Sequence, residues 1–263
     1  MVANVNIHHS AIIEDGAEIG DGTSVGPFCF VGSKVRLGQN VELKSHVVIK
    51  GDTFLGDENT VFPFAVLGEI PQDKKFNGES TSLKIGNRNQ IREHVTINVG
   101  TKGGGGITKV GNDGLFMAGC HIAHDAQVGD NVILVNNASL AGHCIIEDNV
   151  IVGGLSGVHQ FVRIGEGAII GAVTMVTNDV IPYGLVQAPR GELDGLNLVG
   201  LKRKGVPRAD IMALRAAFQT LSQGDGTFQD RAQKLTDDSE SKYVEKIVSF
   251  VLGHSDRSFL TPR

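Results

Sequence analysis

Aliphatic side chains recur every six residues along most of this chain. From Ile7 the steps land on Ile13, Ile19, Val25, Val31, Leu37, Leu43, Ile49, Leu55, Val61 and Leu67. The step resumes at Ile85, Ile91 and Ile97. It then runs from Val110 through Phe116, Ile122, Val128, Leu134, Leu140, Ile146, Val152, Val158, Ile164, Ile170 and Val176. A helix would favour steps of three and four, and a lone amphipathic strand would alternate by two. A step of six fits a short strand plus a corner, with one inward aliphatic side chain per unit. Stacked units of this kind form a parallel β-helix around a continuous aliphatic core. Glycine often follows the inward residue, as in Ile19-Gly20, Val128-Gly129 and Ile164-Gly165. The 35 glycines suit corners that need unusual φ/ψ.

Two breaks interrupt the register. Leu67 and Ile85 are 18 apart, so residues 68–84 keep phase but lose the pattern, as a protruding loop would. Ile97 and Val110 are 13 apart, so one residue beyond a multiple of six enters near Lys102-Gly103-Gly104-Gly105-Gly106. The loop there, 98–109, is glycine-rich and expected to be mobile. Long loops on a rigid scaffold often carry function. Beyond Pro182 the pattern stops, and 183–200 read as irregular. Pro207 opens a helical stretch through ALRAAFQTL, and SKYVEKIVSFVL has helical spacing. The reading is therefore mainly β: a solenoid over 1–190 and a C-terminal α-helical domain over 191–263. A helical cap would cover the open end of the solenoid.

The formal net charge of −5 argues against nonspecific nucleic-acid binding. MVANVNIHHS lacks the basic and apolar regions of a signal peptide, and no apolar run reaches membrane-span length. Cys29, Cys120 and Cys144 cannot all pair within one chain. They read as reduced thiols of a cytoplasmic protein.

The known hexapeptide solenoid takes three units per coil, and winding the chain in that way gathers histidines. Ile122, Leu140 and Val158 are 18 apart and fall in one column. His121 and His124 flank the first, His143 follows the second by three, and His159 follows the third. Adjacent coils rise by about 4.8 Å, so four imidazoles meet near one edge. A single corner histidine usually serves the backbone, but four in one column point to a site. Histidine titrates near neutrality and suits general-base work. Asp125 stands beside His124 to orient it.

At these residues the chain resembles a known family. His121-Ile122-Ala123-His124-Asp125, Asn136 through His143, Val158-His159-Gln160-Phe161 and Gly200-Leu201-Lys202-Arg203 are similar to the UDP-N-acetylglucosamine O-acyltransferases of lipid A synthesis. The resemblance implies a left-handed parallel β-helix of hexapeptide repeats, assembled as a cytoplasmic homotrimer with sites between subunits. It implies transfer of a 3-hydroxyacyl group from acyl carrier protein to the 3-position of a UDP-amino sugar. His124 would be the general base, Asp125 its support, and the Gly142 N–H an oxyanion donor. Asp73, Lys75, His121, His143, His159, Gln160, Asn197 and Arg203 would bind the nucleotide sugar, and Ala172 would set acyl length. Neither metal nor organic cofactor is implied.

Some residues depart from the family pattern. Val199 stands where an acidic sugar-nucleotide contact is expected, and Asn98 and Val99 stand where His and Arg are common. A 3-amino sugar, acylated to an amide, is the alternative these raise. Ala172 replaces a glycine, which predicts a shorter acyl chain. The basic cluster Lys202, Arg203, Lys204 and Arg208 suits docking of an acidic carrier protein. Three rivals are weaker: a zinc hydratase of the γ-carbonic anhydrase type on His121, His124 and His143, a thiol mechanism on Cys120 or Cys144, and a non-catalytic scaffold.

Overall fold

The computed structural model describes residues 4–187, 191–223, 225–236 and 241–262. The described residues wind into a left-handed parallel β-helix with three sheets of 11, 9 and 8 strands. Most strands are only two residues long, and in most the first residue faces outward and the second is buried. This is the sequence step of six made physical: one strand, one corner, one core side chain. Ile7 pairs with Val25, Val25 with Leu43, and Leu43 with Val61, so one coil takes eighteen residues. Val31, Ile49, Leu67, Ile97, Ile122 and Leu140 are all fully buried.

The two breaks are excursions from a coil that otherwise continues. Leu55 pairs with Ile85, and Ile85 with Val110. Eighteen residues after Leu67, and thirteen after Ile97, thus do the work of six. Longer strands, Val66–Glu69 with Ser82–Ile85 and Thr96–Asn98 with Ile107–Val110, grip the roots of both excursions. The protruding parts are therefore 70–81 and 99–106, shorter than 68–84 and 98–109.

Most glycines that follow the inward residues do not serve unusual φ/ψ. Gly20, Gly26, Gly129 and Gly165 do not hold left-handed φ; that backbone falls to Asn40, His46, Asp125, His143 and others. Glycine follows the inward residue because neighbouring coils leave no room. A Cβ at Gly129 would lie 2.3 Å from Asp148 Oδ1.

The solenoid ends in an element that the periodicity did not foretell. Gly184–Gln187 pairs antiparallel with Glu192–Leu196. The sequence boundary at 190 falls on 188–190, outside the described residues. Among the described residues four helices follow: α1 Leu198–Arg203, α2 Arg208–Ser222, α3 Phe228–Lys234 and α4 Lys242–Leu252. Pro207 caps α2 as expected. α1 falls partly in the stretch read as irregular, and α3 was not foreseen. α4 buries Val244, Ile247, Val248 and Val251, the spacing of one helical face. Asp179, fully buried, ties the tail to the last coil. It accepts from Arg163 Nε at 2.7 Å and from Ser255 Oγ at 2.6 Å. Among the described residues, no helix is long and apolar enough to cross a membrane.

Candidate active site

Ile122 pairs with Leu140 and Leu140 with Val158. The corners beyond these residues therefore stack in register. His124 lies in line with Gly142 and Gln160; Asp125 lies in line with His143 and Phe161. Asp125, His143 and Phe161 hold φ of 62°, 63° and 66°. The His143 ring stacks on Phe161 at 4.4 Å and meets the His124 ring edge-on at 5.0 Å. His159 joins His124 and His121 along one groove of about 450 Å³, with Gly142, Leu140 and Met175.

His124 Nδ1 lies 2.8 Å from Asp125 Oδ2. An ionised carboxylate only accepts, so Nδ1 carries the proton and Nε2 keeps its lone pair. The Asp125 side chain is 1% exposed. Its Oδ1 accepts from the Thr101 N–H at 2.8 Å and its Oδ2 from Thr101 Oγ1 at 2.6 Å. The Asp125 N–H in turn donates to Thr108 Oγ1 at 2.8 Å. Gly104 lies against this carboxylate: a Cβ there would fall 2.0 Å from Asp125 Cγ. The glycine-rich loop thus touches Asp125 through Thr101 and Gly104. A covered carboxylate facing an imidazole fixes the tautomer and orientation of the ring.

Gly142 is glycine for a related reason. A Cβ on it would lie 2.6 Å from His124 Cε1 and 2.8 Å from Nε2. Its N–H makes no hydrogen bond among the described residues. A basic nitrogen and an unused donor thus stand side by side, as acyl transfer requires.

His121 Nδ1 lies 2.7 Å from Thr96 Oγ1. Burial and the nearby His124 push its pKa below the usual histidine value. Burial also lowers that of His143, with His124 adding to it against the pull of Asp125. Asp73 and Lys75 lie on the far side of His143, in a second cavity of about 880 Å³ with Thr101, Lys102 and Phe161. Gln160 is exposed on the corner above Gly142.

Asn197 and Arg203 do not join this group within one chain; neither lines either cavity. Asn197 caps α1, accepting from the Gly200 N–H at 2.9 Å, and donates to the Gly167 carbonyl. Lys204 is exposed, and desolvation, outweighing the pull of Glu166 and Asp148, holds its pKa below the usual lysine value. Ala172 is exposed on the corner leading to Met175–Val176, and Met175 lines the groove. Asn98 Nδ2 donates to the Ile70 carbonyl at 3.0 Å, and Val99 is buried against Gly51. These two departures fasten the root of the 70–81 loop.

The thiols face the core. Cys120 and Cys144 are fully buried, and burial pushes their pKa up to about 11 and about 12. Neither supplies a thiolate nucleophile. His124, Asp125 and His143 offer ligand atoms within 4.8 Å of one another. A metal there would have to displace the His124 and Thr101 hydrogen bonds that Asp125 already holds, so the group fits a proton relay better than a zinc site. His121, the third residue of the zinc alternative, is not in that cluster.

Sequence reasoning missed Thr101, Thr108 and Thr96, because loop contacts leave no periodic trace. Phe161 was legible: it follows His143 by one coil.

The chain is similar to known proteins along its length. Residues 179–260 match the second domain of the family described as Udp N-acetylglucosamine O-acyltransferase, and 16–51 match the bacterial transferase hexapeptide repeats. An acyl-[acyl-carrier-protein]–UDP-N-acetylglucosamine O-acyltransferase of Paracoccus denitrificans is 66% identical over 202 residues, covering 77% of each chain. One of Agrobacterium fabrum is 42% identical, covering 100% of this chain and 97% of its own. The solved structure of the UDP-N-acetylglucosamine acyltransferase from Campylobacter jejuni superposes with a TM-score of 0.92 at 39% identity, covering 98% of this chain and 100% of that one. With relatives this similar along its whole length, the chain belongs to the UDP-N-acetylglucosamine O-acyltransferase family.

Proposed function

We propose that the chain transfers a 3-hydroxyacyl group from acyl carrier protein to the 3-hydroxyl of UDP-N-acetylglucosamine, the first step of lipid A synthesis. The observation that carries this reading is the His124–Asp125 pair set against the unused Gly142 N–H. His124 Nε2 takes the proton of the sugar hydroxyl, and Asp125 stabilises the imidazolium that forms. The sugar oxygen attacks the thioester carbonyl. The Gly142 N–H receives the negative oxygen of the tetrahedral intermediate. Collapse breaks the carbon–sulfur bond, and His124 returns its proton to the departing thiolate. The products are an ester and a free thiol. The chain's relatives carry O-acyltransferase names, which does not favour the 3-amino or zinc-hydratase alternatives.

In this reading His121, His143, His159, Gln160, Asp73 and Lys75 hold the nucleotide sugar, and Ala172 limits the acyl chain. Asn197 and Arg203 serve the site of a neighbouring copy in a homotrimer. Two features support a trimer. Those residues lie away from their own chain's groove, and one solenoid edge exposes Phe28, Phe64, Leu155 and Val173. A cytoplasmic location fits a pathway that draws on acyl carrier protein.

The test is an assay of purified protein with UDP-N-acetylglucosamine and its 3-amino analogue against a panel of hydroxyacyl carrier proteins. Ester formation with the hydroxyl sugar is expected, falling by about 10²–10⁴ in His124→Ala. Retained turnover in a folded His124→Ala protein, or acylation of the amine alone, would refute this reading.

A further inference from the structure

The C-terminal tail reaches His159, a residue that lines the histidine groove. Beyond α4 it returns to the last coils: the Asp179 N–H donates to the Ser258 carbonyl at 2.9 Å, and the Leu260 N–H to the Asp179 carbonyl at 2.8 Å. Ser255 Oγ donates to the buried Asp179 carboxylate and accepts from the Arg257 N–H at 3.0 Å. So held, Arg257 places a guanidinium nitrogen 2.8 Å from His159 Nδ1.

The same Nδ1 has a second neighbour, the Gln160 carbonyl, at 3.3 Å. The two make opposite demands. A carbonyl accepts, so it calls for a proton on Nδ1. A guanidinium has five donors and no acceptor, so it calls for a lone pair there. The guanidinium contact is shorter and charge-assisted, and such bonds are about twice as strong as neutral ones. Arg257 therefore wins, and the ring proton sits on Nε2. Nε2 makes no hydrogen bond among the described residues, and His159 lines the groove with His124 and Gly142.

We propose that Arg257 is a positioning residue that fixes the tautomer of His159, so that its Nε2–H serves as a hydrogen-bond donor to substrate. The atom it meets is an oxygen without a proton of its own, a phosphoryl or carbonyl oxygen. This rests on the transferase reading above for the identity of the substrate, but not for the tautomer. Without Arg257, Nδ1 turns its proton to the Gln160 carbonyl and Nε2 becomes an acceptor, which repels such an oxygen.

Two measurements test this in the full-length protein. The first is ¹⁵N NMR of the His159 ring at neutral pH, assigned by the loss of its signals in His159→Gln. One tautomer, protonated at Nε2, is expected in the native protein, with a shift towards Nδ1–H in Arg257→Ala. An unchanged tautomer in that variant overturns the proposal, and it does so without reference to any activity. The second is a double-mutant cycle on acyl transfer. Arg257→Ala alone is expected to lower kcat/KM about tenfold, the size of one lost hydrogen bond, with Arg257→Lys recovering most of it. In a His159→Gln background Arg257→Ala should cost almost nothing further. An equal loss in both backgrounds marks a role unconnected with His159 and sinks the idea. A rise in KM for the nucleotide sugar marks a phosphoryl partner; a fall in kcat or a higher KM for the acyl carrier marks a carbonyl. If no transfer is seen at all while the tautomer holds, the substrate reading fails and the tautomer assignment stands.

Discussion

Replacing Gly142 by alanine tests the site with a single methyl group. That methyl would sit 2.6 Å from His124 Cε1, 2.8 Å from Nε2 and 3.1 Å from Nδ1. Ordinary carbon contacts are about 3.5–4.0 Å, so the ring must retreat by about 1 Å. Two neighbours oppose the retreat: the hydrogen bond to Asp125 at 2.8 Å and the edge of the His143 ring. Gly142 does not hold left-handed φ, so alanine is tolerated by the backbone itself. The coil should form, with an overpacking cost of about 1–3 kcal/mol. A misplacement of about 1 Å in a reacting group costs about 10²-fold in rate. Gly142→Ala is thus expected to fold, shown by a cooperative urea transition, and to lose about two orders of magnitude in kcat. Gly195→Ala, where nothing lies within 4 Å of an added Cβ, is the control and should keep its activity. Near-native turnover in folded Gly142→Ala would mean that the position of this ring does not govern the reaction.

Other outcomes follow from the same contacts. Thr101→Val removes a 2.6 Å donor from the buried Asp125 carboxylate and should cost about 1.5–3 kcal/mol by urea unfolding; Thr101→Ser should restore most of it. Asp179→Ala leaves Arg163 and the Ser255 tail without their partner, with an expected loss of about 3–5 kcal/mol; a loss within error would show that the tail docks without help from this carboxylate. His121 and His143 titrate below the usual value of about 6.5 in the folded protein. Between the folded and unfolded values the unfolded chain binds more protons, so stability rises with pH through that window and is complete above about pH 6.5. The melting temperature should therefore fall on acidification below that point, less steeply in a His121→Asn, His143→Asn double variant. Ala172→Gly is expected to lengthen the preferred acyl chain in competition between carrier-bound acyl groups; the same preference in both proteins would remove Ala172 from the length-setting role.

Much of this was legible from the residues. A strict repeat predicts architecture well because every coil solves the same burial problem in the same way. The inward positions from Ile7 to Val176 could be counted without any structure, and so could the alignment of His124 with Gly142. Two kinds of feature escaped. Elements outside the repeat, such as the antiparallel strand Glu192–Leu196 and helix α1, have too few residues to show a period. Contacts made across loops, such as Thr101 on Asp125 and Asn98 on Ile70, depend on where the excursion returns, and no spacing encodes that.

By itself the sequence determined a stacked solenoid with one inward aliphatic side chain every six residues; wound at the three units per coil of known hexapeptide solenoids, the same period also yields the histidine column. Only the tertiary structure decided which of those histidines act together. It paired His124 with Asp125, set His143 against Phe161, and brought Arg257 from the far end of the chain to His159. The physical reason is range: burial is repeated locally and leaves a pattern, whereas the direction of a hydrogen bond depends on groups that meet only after the chain has folded.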